Sequence, residues 1–297
     1  MLPSLHIEPT SRCTLGCPRC ARTVMLETFG KKALPIIDLN VVDFENFVDI
    51  ELEEIMLCGV YGDPIYHRQF KELIKTCKRK AKKIKVTTNG GHRTQSWWQS
   101  TVELLDSFDE IIFSIDGTPE NFTDYRVNGD WESTLIGLKE CISGSVKTTW
   151  KYIPFSYNEN NIESTRKLAL DLGIDRFEIS YGDRWEENDW LKPTNKNLID
   201  NNKHSIKEDF KQNKKDIDID PLCKDQKRHY VSASGYYMPC CYVGDHRFYY
   251  KSEWWENRKE YNIKNCKLSD QIKNFNIFYN NIEINKPEYC VFNCGKC

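Results

Sequence analysis

The stretch from Leu5 to Cys20 reads Leu-His-Ile-Glu-Pro-Thr-Ser-Arg-Cys-Thr-Leu-Gly-Cys-Pro-Arg-Cys, and it decides how the rest of the chain is interpreted. Residues 5–9 form a short β-type run, and three cysteines, Cys13, Cys17 and Cys20, follow within eight residues. Cysteine thiolates hold iron–sulfur clusters, normally four thiolates to a four-iron cube. Three neighbouring thiols would therefore leave one iron open to a small-molecule ligand.

Zinc is the alternative occupant of this loop. Structural zinc sites are closed by four ligands, and neither a histidine nor a fourth cysteine follows closely here. A cluster therefore fits the spacing better, although zinc, or cysteines with no metal, stay as alternatives.

Downstream of the loop, short β-type runs alternate with helical patterns as far as about residue 183. We predict strands at 5–9, 54–58, 84–88, 110–115, 147–153 and 177–180. Helices are predicted at 40–51, 66–82, 95–107, 131–143 and 159–172, where apolar residues recur at helical spacing. This alternation indicates parallel βαβ units, and six strands favour a partial barrel over a complete eight-stranded one.

Composition narrows the class of protein. The chain has 297 residues, is 39% hydrophobic and carries a net charge of −2, which argues against a nucleic-acid partner or an anionic membrane surface. There is no apolar run long enough to cross a membrane and no secretory signal at the amino terminus. We therefore expect a cytoplasmic protein.

Thirteen cysteines need an explanation in a reducing compartment, where metal ligation or catalysis is more common than disulfides. Three lie in the loop after the first strand, and seven lie in the last 75 residues. These two groups suggest two separate inorganic sites. We accordingly predict a barrel over residues 1–183, a polar linker over 184–222, and a small cysteine-rich domain over 223–297 that a metal cluster stabilises.

A Cys-x3-Cys-x2-Cys loop directly after a first β-strand resembles the signature of the radical S-adenosylmethionine (SAM) superfamily. The resemblance implies a partial (β/α)6 TIM-like barrel, a [4Fe–4S] cluster on Cys13, Cys17 and Cys20, and SAM chelating the fourth iron. In that family the reduced cluster cleaves SAM to a 5′-deoxyadenosyl radical, which abstracts hydrogen from the substrate. The cofactor supplies this chemistry, and the protein supplies binding and orientation.

Further motifs at strand ends resemble those of the family. Gly59-Val-Tyr-Gly62-Asp63-Pro64 is similar to the Gly-Gly-Glu-Pro motif that holds the SAM amino group, with Asp63 in the usual glutamate position. The resemblance implies that Gly62 and Asp63 contact SAM. A plain Gly-Asp-Pro turn is the alternative interpretation.

Two more strand-end motifs, Thr87-Thr-Asn-Gly90 and Ser114-Ile-Asp-Gly117, also resemble family motifs. They imply that Asn89 and Ser114 lie near the SAM carboxylate and ribose, and that Asp116 faces SAM or substrate. Arg126 is expected to pair with the SAM carboxylate, although a solvated arginine is equally compatible with the sequence. Weaker candidates, chosen by position alone, are Lys151, Tyr152 and, as a catalytic group, Asp183.

The carboxyl-terminal cysteines resemble a known extension of the same family. Cys223, followed by Gly235-Tyr-Tyr-Met-Pro-Cys240, is similar to the start of the SPASM and twitch domains, which carry auxiliary [4Fe–4S] clusters. The chain ends in Cys290-Val-Phe-Asn-Cys294-Gly-Lys-Cys297. A full SPASM domain has a longer array of cysteines, so a shortened, twitch-like domain with one auxiliary cluster is expected here.

The resemblance favours four ligands for that cluster, with a fifth cysteine as a close contender. The four favoured ligands are Cys223, Cys240, Cys294 and Cys297, and the contender is Cys290. Cys241 and Cys266 are interpreted as ordinary buried thiols. A zinc knuckle built from the same residues is the alternative.

These expectations define an enzyme that acts on a peptide or small-molecule substrate. The auxiliary cluster would pass electrons, and a flavodoxin- or ferredoxin-type protein would be the electron donor. Two other functions remain open. One is a radical SAM enzyme acting on nucleoside or RNA, which the net charge disfavours. The other is a non-enzymatic zinc or iron–sulfur protein, which would have no need of the SAM motifs.

Overall fold

One eight-stranded sheet organises the protein. The computed structural model describes residues 2–182, 185, 188–199, 218–221, 223 and 228–296. Eight strands form the sheet: β1 (Ser4–Ile7), β2 (Leu52–Leu57), β3 (Ala81–Thr88), β4 (Glu110–Ser114), β5 (Lys147–Tyr152), β6 (Arg176–Ile179), β8 (Arg228–Val231) and β9 (Tyr237–Met238). A separate two-stranded sheet pairs β7 (Asp218–Ile219) with β10 (Gly295–Lys296).

Helices connect these strands and follow them. In the first part of the chain they are α1 (Ala21–Phe29), α2 (Val41–Phe47), α3 (Phe70–Lys80), α4 (Gln95–Val102), α5 (Phe122–Tyr125), α6 (Trp131–Ser143) and α7 (Ile162–Leu172). After β9 they are α8 (His246–Tyr249), α9 (Glu253–Glu256), α10 (Leu268–Asn280), α11 (Ile282–Asn285) and α12 (Glu288–Cys294). Within the described residues, none is long and apolar enough to cross a membrane.

The order of strands across the sheet is β6-β5-β4-β3-β2-β1-β8-β9. Neighbouring strands from β6 to β8 are parallel, and the β8–β9 pair is an antiparallel hairpin. Because β1 to β6 follow one another across the sheet, their carboxyl ends lie at one edge. The architecture is that of a partial TIM barrel, as the alternation of strands and helices predicted.

Local sequence explains why these elements form where they do. The side chains of Leu5 and Ile7 in β1 are fully buried, and α3 turns Leu73 and Ile74 into the core. The α6 helix is capped at its N-terminus by Asp130, whose carboxylate accepts a hydrogen bond from the Ser133 amide. The six predicted strands are confirmed, with boundaries shifted by one to three residues because strand ends carry no strong sequence signal.

The carboxyl-terminal segment is joined to the barrel sheet. Strand β8 pairs with β1 in parallel register, with Ser4 opposite Arg228 and Ile7 opposite Val231. The chain after residue 223 therefore extends the same sheet, and the division at 1–183, 184–222 and 223–297 stays a prediction. Most of the proposed linker, together with Asp183 and Cys297, lies outside the described residues.

Candidate active site

The three amino-terminal cysteines line one cavity of about 310 Å³ at the carboxyl ends of the strands. Backbone hydrogen bonds hold their loop: the Cys20 amide donates to the Cys17 carbonyl at 3.1 Å, and the Gly16 amide donates to the Val127 carbonyl at 3.0 Å. The Arg22 guanidinium donates to the Ser11 carbonyl and anchors the start of the loop. The loop is thus fixed from both sides, with its thiols facing the cavity.

The surroundings of Cys13 and Cys17 keep both thiols neutral in the absence of a metal, and they offer hydrogen-bond donors to the thiolates that a bound metal would create. Burial raises the pKa of Cys13 to about 12 and that of Cys17 to about 11, so the protein alone favours the neutral thiols. A bound cluster supplies the positive charge that deprotonates such ligands. Two donors already point at the sulfurs: Asn89 Nδ2 lies 3.7 Å from Cys13 Sγ, and Arg126 Nη1 lies 4.0 Å from Cys17 Sγ.

A four-iron cube fits this donor set better than a single ion does. Among the residues that the structure describes, no three histidine, cysteine or carboxylate side chains converge so as to hold one metal ion. Each thiolate of a cube binds a different iron, so its cysteines need not converge on one point. The loop of Cys13, Cys17 and Cys20 offers three such thiolates, and the cavity beside it leaves the fourth corner accessible.

The Gly59–Asp63 loop forms the wall beside the cysteines. A Cβ atom added at Gly62 would lie 1.9 Å from the Thr10 carbonyl oxygen, so only glycine permits the two loops to approach this closely. The Asp63 amide then donates to the Arg12 carbonyl at 2.7 Å. Gly62 therefore fixes the position of the cysteine loop in addition to lining the cavity.

Glu8 binds the same loop through its side chain. The sequence did not indicate it as a site residue. Its buried carboxylate accepts hydrogen bonds from the Tyr61 amide at 2.5 Å and the Gly62 amide at 3.2 Å. Its other oxygen accepts from the Tyr230 hydroxyl at 3.0 Å, which connects β8 to the site. Burial raises the pKa of this carboxyl, and the three donors oppose that rise. The signal available in the sequence was an acidic residue directly after the apolar run of β1.

Asp63 lines the cavity, but its carboxylate is already engaged. Oδ1 accepts from the Thr88 hydroxyl at 2.8 Å and from the Ile65 amide at 3.2 Å, and Oδ2 accepts from the Asn89 amide at 2.6 Å. The side chain therefore joins the loop after β2 to the end of β3. A SAM ammonium would have to share these oxygens with three existing donors.

Asn89 and Ser114 line the same cavity, at the ends of β3 and β4. The Asn89 Oδ1 atom accepts from the Gly91 amide at 2.9 Å, which turns the Nδ2 group toward Cys13. Asn89 is thus placed against the cysteine loop, and its expected position near the SAM carboxylate and ribose stays a prediction.

Asp116 differs from its expected position. Its side chain is fully buried and is absent from the cavity lining, where it was expected to face SAM or substrate. Its Oδ2 atom lies 2.5 Å from Arg126 Nη2, and its Oδ1 accepts from the Ile153 amide at 2.7 Å. The physical reason is charge: a buried guanidinium requires a buried counter-ion. Asp116 therefore orients Arg126, and Arg126 lines the cavity beside Cys17.

The two candidates on β5 do not line the cavity. Lys151 Nζ lies 3.8 Å from a carboxylate oxygen of Glu178, and the Tyr152 hydroxyl donates to the Asn158 carbonyl. Three residues that the sequence did not indicate take their place: His6, Cys58 and Cys241. Burial lowers the pKa of His6 to about 4, which keeps its ring neutral.

The carboxyl-terminal cysteines form a second group. Burial raises the pKa of the Cys290 thiol, and nearby thiolate charge raises it further. The thiols responsible for the second effect belong to Cys240, Cys294 and Cys223. Four cysteines from three segments therefore lie near enough to influence one another's pKa, including Cys290, which had been the contender for this site. Cys266 instead donates to the Asn262 carbonyl at 3.3 Å.

Cys241 lies between the two cysteine groups. It lines the first cavity, and its charged neighbours include Cys58 on the cavity side and Cys294 on the other side. It was expected to be an ordinary buried thiol. The structure places it in the lining of the first cavity, where Cys294 is one of the groups that raise its pKa.

Three thiols thus lie beside a cavity with room for a small molecule, at the carboxyl edge of a partial barrel. A protein-family model described as the radical SAM superfamily matches residues 7–169. Because this match covers more than half of the 297 residues, the chain belongs to the radical SAM superfamily, a family of enzymes.

Two curated relatives are similar over part of the chain. The pre-heme d1 synthase of Dinoroseobacter shibae is 25% identical over 173 residues, which cover 58% of this chain and 41% of the relative. The tungsten-containing aldehyde ferredoxin oxidoreductase cofactor-modifying protein of Pyrococcus furiosus is 26% identical over 115 residues, covering 39% of this chain and 31% of the relative. The matched region thus spans less than half the length of either relative.

Solved structures show the same fold at low identity. The anSMEcpe structure with bound AdoMet has a TM-score of 0.62 at 16% identity, covering 99% of this chain and 85% of the other. Streptococcus suis SuiB bound to S-adenosylmethionine has a TM-score of 0.56 at 14% identity, covering 86% of this chain and 65% of the other. These likenesses establish the partial barrel.

Proposed function

We propose that the chain cleaves SAM reductively at a [4Fe–4S] cluster held by Cys13, Cys17 and Cys20, and that it abstracts hydrogen from a peptide or small-molecule substrate. One observation carries the proposal: three thiols, one of them buried and two partly buried, share a cavity with the Arg126 guanidinium, which the buried Asp116 carboxylate orients. When bound, SAM and the reduced cluster together supply a 5′-deoxyadenosyl radical.

The residues of the chain have distinct parts in this proposal. Arg126 is the cation available for the SAM carboxylate. It is pre-oriented because its Nη2 atom pairs with the Asp116 carboxylate. Asn89 donates to Cys13, and hydrogen bonds to cluster sulfurs tune reduction potentials. Asp63 and the backbone of Gly62 are the acceptors nearest to the cysteine loop for the SAM ammonium. We propose no residue for acid–base catalysis.

We further propose one auxiliary [4Fe–4S] cluster in a SPASM- or twitch-like carboxyl-terminal segment. The proximity of Cys223, Cys240, Cys290 and Cys294 supports it. Cys290 thereby becomes a ligand candidate of the same standing as Cys294, and Cys297 stays a candidate from sequence alone. This cluster would exchange electrons with a substrate radical across the cavity floor.

Peptides are proposed as the first substrate class to test. SuiB has been solved bound to the precursor peptide SuiA, and anSMEcpe with the Cp18Cys peptide. The proposed electron donor is a flavodoxin- or ferredoxin-type protein. The twelve described cysteines are all free thiols, which is consistent with a location in the reducing cytoplasm.

The test of this function is anaerobic. The protein is reconstituted, iron and sulfide are counted, and SAM and dithionite are added while 5′-deoxyadenosine is measured. About eight irons per chain with product formed is the expected result. About four irons with product would remove the auxiliary cluster, and zinc without product would overturn the function.

A further inference from the structure

A second cavity, of about 410 Å³, lies between the loop after α1 and the carboxyl-terminal segment, and nothing in the proposed SAM chemistry uses it. Its wall is aromatic, with Tyr61, Tyr230, Tyr236, Tyr249, Tyr250 and Trp255 among the lining residues. Tyr61 lines both cavities, so the two cavities are adjacent at this residue. Hydrogen bonds with the Gly244 carbonyl and the His246 amide hold its hydroxyl in place. A ligand in the second cavity would therefore lie next to the SAM cavity.

One polar group in the wall is left without a partner. The Tyr249 hydroxyl is buried and has no hydrogen-bond partner among the described residues. An unmade hydrogen bond at a buried group is costly, so this hydroxyl is available to a ligand atom that enters the cavity. The Tyr249 ring is held by Tyr250 and Trp255, with centroids 5.4 Å and 5.2 Å away. The hydroxyl is thus presented on a rigid aromatic surface.

The charged side chain that the cavity lining leaves available to a ligand is positive. Two lining residues carry an acidic or a basic side chain, Glu8 and Arg258. Glu8 already accepts three hydrogen bonds. The Arg258 guanidinium stacks 3.9 Å from the Trp255 ring centroid, and no carboxylate in the described part of the chain pairs with it. A ligand carboxylate would complete this site.

Two exposed apolar residues lie in or beside the cavity lining. Tyr250 lines the cavity yet is 50% exposed, and Ile36, between the lining residues Pro35 and Ile37, is 64% exposed. A small molecule inside the cavity would leave these side chains in water. An extended ligand that passes over the opening would cover them, as peptide segments do with aromatic anchors.

We propose that this cavity binds an aromatic side chain of a peptide substrate, with an adjacent acidic residue of that peptide on Arg258. The proposal rests on the proposed function, because it places the peptide backbone beside the SAM cavity at Tyr61. The aromatic ring would pack among the tyrosines, and its polar edge would meet the Tyr249 hydroxyl.

The test measures peptide binding to the reconstituted holoenzyme by saturation-transfer difference NMR under anaerobic conditions. The probe is a blocked tetrapeptide of alanine, tyrosine, aspartate and alanine. Matched probes replace the tyrosine by alanine or the aspartate by lysine, and a further probe is free 3-(4-hydroxyphenyl)propionate. We expect saturable binding of the first peptide, and binding at least about tenfold weaker for the other three.

Variants assign the binding to the cavity. Ser234→Trp, at an exposed turn position in the lining, should block it. Arg258→Gln should weaken binding about tenfold, and Tyr249→Phe about threefold, as expected for a charged and a neutral hydrogen bond. Tyr279→Phe and Arg79→Gln remove the same groups elsewhere and should leave binding unchanged. If Ser234→Trp fails to fold, the other two variants still decide the outcome.

Equal binding of the tyrosine and alanine peptides, or binding insensitive to Tyr249→Phe and Arg258→Gln, would overturn the proposal. Equal binding of the free aromatic acid would overturn its peptide part. The same samples are assayed for 5′-deoxyadenosine. Product without peptide binding would reject this inference alone, whereas peptide binding without product would reject the proposed function and retain the cavity as a peptide site.

Discussion

The two cysteine groups of this protein are assembled in different ways. Cys13, Cys17 and Cys20 lie on one loop, so their proximity follows from the chain itself. The carboxyl-terminal group combines Cys223, before β8, with Cys240, after β9, and with two cysteines of α12. The first group needs only a strand and a tight loop, whereas the second needs the hairpin and helix to be packed together.

Their surroundings differ as well. The amino-terminal thiols face a cavity and receive N–H groups from Asn89 and Arg126. The buried Cys290 has other thiols as its nearest charged neighbours. An open site with oriented donors suits binding of a small molecule, and a closed group of thiols suits a structural or electron-transfer cluster. The comparison predicts that the two groups fail separately when mutated.

The largest effect is expected for Cys17→Ala. Removing one of three thiolates should abolish 5′-deoxyadenosine formation and lower the iron content by about four per chain, with the second cluster retained. Iron analysis and product quantification check this. Cys77→Ala removes a buried thiol from the core of α3 and serves as the matched control. Product formation by the Cys17 variant would contradict the assignment of the site.

A smaller loss is expected for Cys240→Ala. This variant should lose about four irons and unfold at a lower temperature, while uncoupled SAM cleavage continues at the amino-terminal cluster. Iron content, thermal unfolding and 5′-deoxyadenosine yield are the measurements. Cys266→Ala, outside the cysteine group, should keep its iron. If the Cys240 variant lost all iron, the two sites would not be independent.

Gly62→Ala tests the contact between the two loops. The added methyl group would collide with the Thr10 carbonyl, so the cysteine loop must shift. We expect a loss of about 3 kcal/mol in the free energy of unfolding, together with weaker SAM binding. Gly91→Ala is the control, since its nearest atoms lie at 3.5 Å. Equal stability of the two variants in denaturant titrations would argue against the close approach.

The smallest effect concerns the attachment of the carboxyl-terminal segment. Burial lowers the pKa of His229, on β8, from 6.5 to about 4. Below about pH 6.5 this ring therefore binds a proton in the unfolded chain but not in the folded chain. The free energy of unfolding consequently decreases as the pH falls below about 6.5. His229→Phe should remove about 1 kcal/mol of the loss between about pH 7.5 and about pH 5.5.

The measurement for this last prediction is the pH dependence of denaturant unfolding. His92→Asn, at an exposed position with positive φ, is the control and should keep the wild-type slope. A slope in the His229 variant equal to that of the wild type would show that the pKa of this ring does not change on folding.

Much of the fold could be predicted because strand and helix signals are local. The six barrel strands and the cysteine loop follow from runs of four to eight residues. The pairing of β8 with β1 could not be predicted, since it joins residues more than two hundred positions apart. Sequence separation also hid Glu8, whose partners lie more than fifty positions away on the loop after β2 and more than two hundred positions away on β8.

The sequence by itself determined the strand–helix order, the three-thiol loop and the glycine-rich loop beside it, because each depends on neighbours along the chain. Only the tertiary structure decided that Asp116 faces Arg126 instead of the cavity, that Cys290 joins the second cysteine group, and that Cys241 lies between the two groups. Side-chain direction and charge pairing depend on which segments meet in space, and a buried ion pair or thiol group takes its partners from whichever strands the packing brings together.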